Sequence, residues 1–206
     1  MQQLEPIVCG KTYHIFNCGI NGCDLFRENE NYEYFLNLYD KHISPIADTF
    51  AWVLMKNHIH MLVRTKEEEY IKNLEGFRNL RGLKLHQPFS NFFNAYTKAF
   101  NKRFGRSGSL FENRFHRKPV SDIENFKRLV VYIQNNPVHR GFTEHAMDYP
   151  WSSYLTCISI KPTHLQRDTV MGWFNNKADF KSIHDNPGDF TDLEQLLGLD
   201  KFYLCH

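Results

Sequence analysis

The hydrophobic pattern of this chain changes its period several times within the first 135 residues. Alternation of apolar and polar residues predicts strands, whereas apolar residues three and four positions apart predict helices. In chain order these patterns predict strands over residues 11–18, 49–55, 58–64 and 110–120, and helices over residues 31–43, 67–81, 87–104 and 123–135. The prolines after Ser44 and Asn136 disfavour helical backbone at those two positions and end two of the helices.

The order strand, helix, strand, strand, helices, strand and helix is typical of an α+β fold. It indicates a ferredoxin-like sandwich, in which a central antiparallel sheet carries helices on one face. Lys56 and Asn57 predict the turn of a hairpin between the second and third strands. We therefore expect a sandwich domain over residues 8–137, followed by a C-terminal helical extension over residues 138–206.

Length and composition restrict the class of protein. The 206 residues are 42% hydrophobic and 23% charged, which is typical of a globular chain and excludes a disordered, collagen-like or coiled-coil protein. Apolar runs fall far short of the roughly 20 residues that a membrane span needs. Because the start lacks the features of a signal peptide, we expect a cytoplasmic protein, and we expect its five scattered cysteines to be reduced thiols.

The net charge of +2 hides two segments of opposite sign. Residues 98–118 hold seven basic side chains and one acidic one, whereas residues 179–200 hold six acidic side chains and one basic one. The basic side chains are Lys98, Lys102, Arg103, Arg106, Arg114, Arg117 and Lys118. Such asymmetry indicates a site for a polyanion on one face, and two solvated helical faces are an equally good interpretation of the charges alone.

His58 and His60 lie two residues apart on the third predicted strand. Side chains alternate along a strand, so both imidazoles project from one face and can bind one divalent metal ion. With eleven histidines in the chain, one such pair by chance is unremarkable. On the last predicted helix Tyr132 and Asn136 are four residues apart and share a face. The asparagine oxygen is a plausible ligand for Mg²⁺ or Mn²⁺, and a tyrosine in an apolar helix is otherwise a core residue.

Several segments together resemble one known family. The segment MKNHIHMLV resembles the histidine motif of the HUH endonucleases, and YIQNNPVHRG is similar to the tyrosine motif of the REP-associated tyrosine transposases. Further matches, in the order of the family, are YHIFNCGINGCDLF, SLFENRFHRKPV and DYPWSSY. The resemblance covers about residues 10–155. The chain departs from the family at Cys18, where an arginine is common after the asparagine.

The resemblance implies a DNA transposase and endonuclease that nicks and rejoins single-stranded DNA next to hairpin-forming repeats. Tyr132 is then the nucleophile that forms a 5′-phosphotyrosine link. His58, His60 and Asn136 are the ligands of Mg²⁺ or Mn²⁺, with Gln134 or Asn135 as substitutes for the third ligand. The expected partner is single-stranded or hairpin DNA, the expected location is cytoplasmic and nucleoid-associated, and the protein is a monomer or a homodimer.

The same resemblance assigns the basic segment to the DNA backbone, which Lys and Arg contact with salt-dependent affinity. Phe111, Phe115 and His116 lie among these cations and could stack on unpaired bases, or the phenylalanines are core residues. Two other functions are compatible with the sequence. One is a catalytically decayed protein that binds single-stranded or hairpin nucleic acid, and the other is a metal-dependent hydrolase of small phosphoesters.

Overall fold

A computed structural model describes residues 6–74, 84–112 and 114–198 of the chain. Its core is a four-stranded sheet in the order β2-β3-β1-β4, with every neighbouring pair antiparallel. The strands are β1 (Thr12–Cys18), β2 (Ala47–Leu54), β3 (His58–Thr65) and β4 (His116–Val120). This order is that of a ferredoxin-like sheet, so the α+β class and the antiparallel sheet are confirmed.

Eight α-helices lie within the described residues. They are α1 (Asn29–His42), α2 (Glu68–Lys72), α3 (His86–Phe104), α4 (Ile123–His139), α5 (Tyr154–Ile158), α6 (Arg167–Met171), α7 (Lys177–Asp185) and α8 (Thr191–Leu197). The helix predicted over 67–81 is present as α2 but ends at Lys72, and residues 75–81 of the prediction lie outside the described residues. In that part of the chain, none of the helices is sufficiently long and apolar to cross a membrane.

The two faces of the sheet belong to two separate hydrophobic clusters. Tyr13 and Ile15 of β1 pack on one side with α1 and α3, where Phe35 stands in edge contact with Phe92 and Tyr96. Phe16 of the same strand packs on the other side with α4. The alternation along β1 thus sends neighbouring residues to different helical layers.

Helices therefore cover both faces of the sheet, which corrects the expectation of helices on one face. Helices α1 and α3 cover one face, as expected, and the other helical layer covers the opposite face. All seven residues of β1 and all but one of the eight of β3 are buried, so a single helical layer would leave apolar strand residues in water. The tyrosine-bearing helix α4 and the C-terminal helices supply the second layer.

Two further element boundaries differ from the prediction by four residues or more. The last predicted helix continues through Pro137 to His139 instead of ending at residue 135, and the amide of Arg140 still bonds the carbonyl of Asn136. The buried Asn136 side chain is held by a tertiary hydrogen bond, which outweighs the local preference of a residue before proline. Strand β4 begins only at His116, because Arg114 has a left-handed backbone with φ of 66°.

The C-terminal residues pack against the edge of the sheet formed by β2. The amides of Leu54 and Ser153 bond the carbonyls of Trp151 and Trp52, and the amide of Gln166 bonds the carbonyl of Thr49. These bonds satisfy an edge that would otherwise expose unpaired backbone groups. The division into residues 8–137 and 138–206 stays a prediction, and α4 crosses that boundary.

Candidate active site

His58 and His60 lie on the face of β3 that α4 covers. Both are buried, with exposed fractions of 8% and 5%. The Nε2 atom of His58 lies 3.0 Å from Oδ1 of Asn136 on α4. Two of the predicted ligands, from distant parts of the sequence, are therefore in direct contact.

Both ring nitrogens of His58 face oxygen atoms. Nδ1 lies 2.8 Å from Oδ1 of Asn57, and Nε2 faces Oδ1 of Asn136. Burial lowers the pKa of His58 to about 4, so the ring is neutral at pH 7 and carries one N–H. The ring has one proton for two oxygens: on Nε2 it donates a hydrogen bond to Asn136, and on Nδ1 it donates one to Asn57. With the proton on Nδ1, the lone pairs of Nε2 and of the Asn136 oxygen are both available to bind one cation.

The spacing of these two atoms also fits a divalent ion. Ligands about 2.1 Å from an octahedral ion lie about 3.0 Å apart when they occupy adjacent positions. The residues present therefore fit Mg²⁺ or Mn²⁺, with His58 and Asn136 as a ligand pair. Within the described residues, no three His, Cys, Asp or Glu side chains are placed to hold one metal ion, and the site proposed here includes an amide instead.

His60 is paired with a histidine that the sequence did not single out. Its Nδ1 lies 3.0 Å from Nε2 of His14, which is fully buried on β1. Burial, together with the nearby histidines and Arg140, lowers the pKa of His60 well below its ordinary value, so this ring too is neutral at pH 7. The pairing depends on the register of β1 and β3, which places Phe16 opposite His60. A pattern in one strand carries no signal for such a contact.

Tyr132 lies beside these histidines on α4. Its ring centroid is 6.0 Å from that of His60, and only 3% of the residue is exposed. Burial raises the pKa of the Tyr132 phenol well above its ordinary value, and the negative charge of Glu194 adds to this effect. Arg140 and Asn136 act in the opposite direction, because a cation and an amide donor favour the phenolate.

The acidic C-terminal segment covers this tyrosine. The ring of Phe190 stands 5.5 Å from the ring of Tyr132. Helix α8 follows directly and brings Glu194 to the phenol. Arg128 of α4 holds the start of α8 through Asp192. The sequence analysis did not find the contribution of Phe190 and Glu194, since these residues lie 58 and 62 positions after the tyrosine.

The two substitutes for the third ligand differ in their surroundings. Gln134 is bonded to Ser153 by its amide at 2.8 Å, and its Oε1 lies 2.8 Å from Nε2 of His184. It therefore joins α4 to the C-terminal helices. Asn135 is fully buried, and its side chain has no hydrogen-bond partner among the described residues. Of the three neighbouring amides, Asn136 is the one in contact with a predicted histidine ligand.

The predicted basic path is divided between the two faces of the sheet. Lys118 pairs with His14 across β4 and β1, so it lies on the Tyr132 face. Arg117 pairs with Ile15 on the opposite face, where its guanidinium stands 5.3 Å from the ring centroid of Phe115. Cys18 is paired with His58, so the position at which the family commonly has arginine adjoins the site.

The other five cations lie on or after α3, which covers the face opposite to α4. Lys98, Lys102 and Arg114 are exposed. Arg103 is paired with Glu28 at 2.9 Å, and Arg106 lies over the ring of Phe100. Phe111 and Phe115 are buried core residues, with exposed fractions of 7% and 6%. A DNA strand that contacted all seven cations would have to pass around the β4 edge.

Comparisons with known proteins agree with the resemblance seen in the motifs. No protein-family model matches the chain. A curated protein of Haemophilus influenzae, named as a REP-associated tyrosine transposase, is 26% identical over 110 residues. The match covers 52% of this chain and 58% of the relative, so the chain aligns with little more than half of that protein.

A solved structure shares the fold. It is that of a REP-associated tyrosine transposase bound to a REP hairpin, with a TM-score of 0.57 and 18% sequence identity. The similarity covers 79% of this chain and 89% of that chain. The resemblance of this chain to the REP-associated tyrosine transposases is thereby confirmed.

Proposed function

We propose, from its resemblance to the REP-associated tyrosine transposases, that this chain nicks and rejoins single-stranded DNA next to hairpin-forming repeats. Tyr132 is the nucleophile, and the reaction proceeds through a 5′-phosphotyrosine intermediate. His58, His60 and Asn136 hold a divalent metal ion, Mg²⁺ or Mn²⁺. The partner is single-stranded or hairpin DNA.

One observation carries this proposal. A tyrosine, two neutral imidazoles and an amide oxygen come together between β3 and α4. A hydrophobic interface would be filled by apolar side chains at lower cost, because a buried polar group needs a partner. The supporting observation is that the solved structure with this fold is bound to a REP hairpin.

The residues of the chain account for the chemistry as follows. The Tyr132 phenol loses its proton to water, and its oxygen attacks a DNA phosphate. The bond from phosphorus to the 3′ oxygen breaks, and the leaving oxygen takes up a proton as a 3′-hydroxyl. The new phosphotyrosine bond keeps the energy of the phosphodiester, so the reverse attack by a 3′-hydroxyl rejoins DNA without ATP.

The electrostatic setting explains why the site needs positive charge. Burial opposes the phenolate of Tyr132, and Arg140 favours it. When bound, the divalent ion would act as a Lewis acid and stabilise the negative charge that develops on the phosphate oxygens. Asn57 orients His58 through Nδ1, which directs Nε2 towards the ligand position.

The test uses single-stranded hairpin oligonucleotides, labelled at the 5′ end or the 3′ end, incubated with the protein and Mn²⁺. We expect a covalent adduct that carries the 3′-labelled fragment and maps to Tyr132 by peptide mass spectrometry. Tyr132→Phe should abolish the adduct and retain DNA binding. Tyr34→Phe is the matched control, since Tyr34 is exposed on α1. Adducts that persist in Tyr132→Phe would refute this assignment.

The burial of Tyr132 favours a second function, the binding of hairpin or single-stranded DNA without cleavage. Phe190 packs against the ring of Tyr132, and the carboxylate of Glu194 near the phenol disfavours a second negative charge such as a phosphate there. The second function is supported if the protein binds hairpin DNA and forms neither nick nor adduct with Mg²⁺ or Mn²⁺.

A further inference from the structure

The proposed chemistry leaves one buried histidine of the site without a role. His14 is fully buried at the centre of the sheet, next to His60. Burial lowers the pKa of His14 to about 3, so its ring is neutral at pH 7. Its Nδ1 has no hydrogen-bond partner among the described residues, and its Nε2 is used for His60.

In the hydrogen bond between the two rings, one ring donates and the other accepts. Each neutral imidazole has one N–H and one lone pair, so the bond between His60 Nδ1 and His14 Nε2 needs one proton. A metal ion binds the lone pair of a neutral imidazole. If His60 keeps its proton on Nδ1 and donates a hydrogen bond to Nε2 of His14, its own Nε2 presents a lone pair to the site. The proton of His14 then lies on Nδ1, which has no partner among the described residues. The opposite direction would place the proton of His60 on Nε2 and block that atom.

The ring of His60 is also held in its plane. Phe16 stacks on His14 with centroids 4.8 Å apart and on His60 with centroids 5.8 Å apart. The rings of His14 and His60 are 13° from parallel. Both residues lie on central strands, where the backbone is fixed on both sides. His60 therefore has little freedom to turn to another partner.

We propose that His14 is a positioning residue, whose Nε2 accepts a hydrogen bond from Nδ1–H of His60 and thereby directs the Nε2 lone pair of His60 to the metal. Asn57 has the corresponding contact with His58. This inference rests on the metal site of the proposed function. Such outer partners change metal affinity about 10- to 100-fold when they are removed.

The test compares His14→Phe, which keeps an aromatic ring and removes the acceptor, with His14→Gln, whose side-chain oxygen can accept the same proton. Mn²⁺ affinity is measured by titration calorimetry on the full chain, and thermal unfolding checks that each variant is folded. We expect Mn²⁺ binding about 10- to 100-fold weaker in His14→Phe. We expect most of it to be recovered in His14→Gln. Tyr13→Phe on the other face of β1 is the control with unchanged affinity.

A second measurement does not depend on metal. Nitrogen-15 spectra of the imidazoles, assigned with His60→Gln, report which nitrogen of His60 carries the proton. We expect Nδ1–H in the wild type and in His14→Gln, and loss of this preference in His14→Phe. Equal Mn²⁺ affinity in wild type and His14→Phe, or a proton on Nε2 of wild-type His60, would overturn the role of His14. Wild-type protein that binds no Mn²⁺ yet shows the expected proton position would contradict the metal site of the proposed function and support the positioning contact.

Discussion

His58 and Asn136 face each other at 3.0 Å across the gap between β3 and α4, although 78 residues separate them in the chain. These two residues are two of the three ligands that we propose for the metal ion, and His60 on the same strand face is the third. The contact ties the tyrosine helix to the sheet at the point where the proposed reaction takes place.

Mn²⁺ should stabilise the folded protein through this contact. A ligand at 100 times its dissociation constant adds about 2.7 kcal/mol to the free energy of unfolding when it binds only the folded state. We expect the melting temperature of the wild type to rise with Mn²⁺ concentration and that of Asn136→Leu to stay constant. Asn94→Ala, an exposed change on α3, should respond as the wild type does. A rise in Asn136→Leu equal to that of wild type would exclude this residue as a ligand.

Removal of the charge of Glu194 should lower the pKa of Tyr132. Burial is the main cause of the raised pKa, and Glu194 adds to it because a carboxylate disfavours a second negative charge nearby. In Glu194→Gln we expect the phenol to titrate at lower pH, measured by carbon-13 spectra of labelled tyrosine and assigned with Tyr132→Phe. Glu124→Gln, in the first turn of α4, should leave the titration unchanged. The idea fails if both variants titrate alike.

His184 should make the folded state sensitive to acid. Burial holds its pKa at about 4 in the folded protein against 6.5 as its ordinary value. Between about pH 6.5 and 4 the unfolded chain binds the proton and the folded chain does not. The free energy of unfolding therefore decreases by up to about 3 kcal/mol as the pH is lowered through this range. Urea unfolding across this range should show a smaller loss in His184→Gln than in the wild type. His86→Gln serves as the control, and an identical loss in all three proteins would contradict the prediction.

Lys118 should contribute more to DNA binding at the site than Arg103 does. Lys118 shares the sheet face of His14, whereas Arg103 lies on the other layer and is paired with Glu28. For a hairpin oligonucleotide, Lys118→Ala should weaken binding and reduce the slope of log affinity against log salt by about 1. Arg103→Ala should change both by less. Anisotropy titrations at several salt concentrations measure the two slopes, and the reverse order would place the DNA on the α3 face.

Those parts of the site that lie within one strand or one helix were predictable from the sequence. The common face of His58 and His60 follows from the period of a strand, and the common face of Tyr132 and Asn136 from that of a helix. The α+β class and the antiparallel sheet followed from the order of the elements, and the order of the strands came from the structure. The extension of α4 through Pro137 was not predictable, because the local preference is overruled by a tertiary bond of Asn136.

By itself the sequence determined the type and order of the elements up to α4 and the two pairs of polar residues, since each depends on neighbours within one turn or one strand. The tertiary structure alone decided that α4 covers the face of His58, that His14 meets His60, and that Phe190 covers Tyr132. These are contacts between residues tens of positions apart. They depend on the strand register and on the face of the sheet that each helix covers. Both are set by the hydrophobic free energy of burying the two sheet faces, to which the whole core contributes.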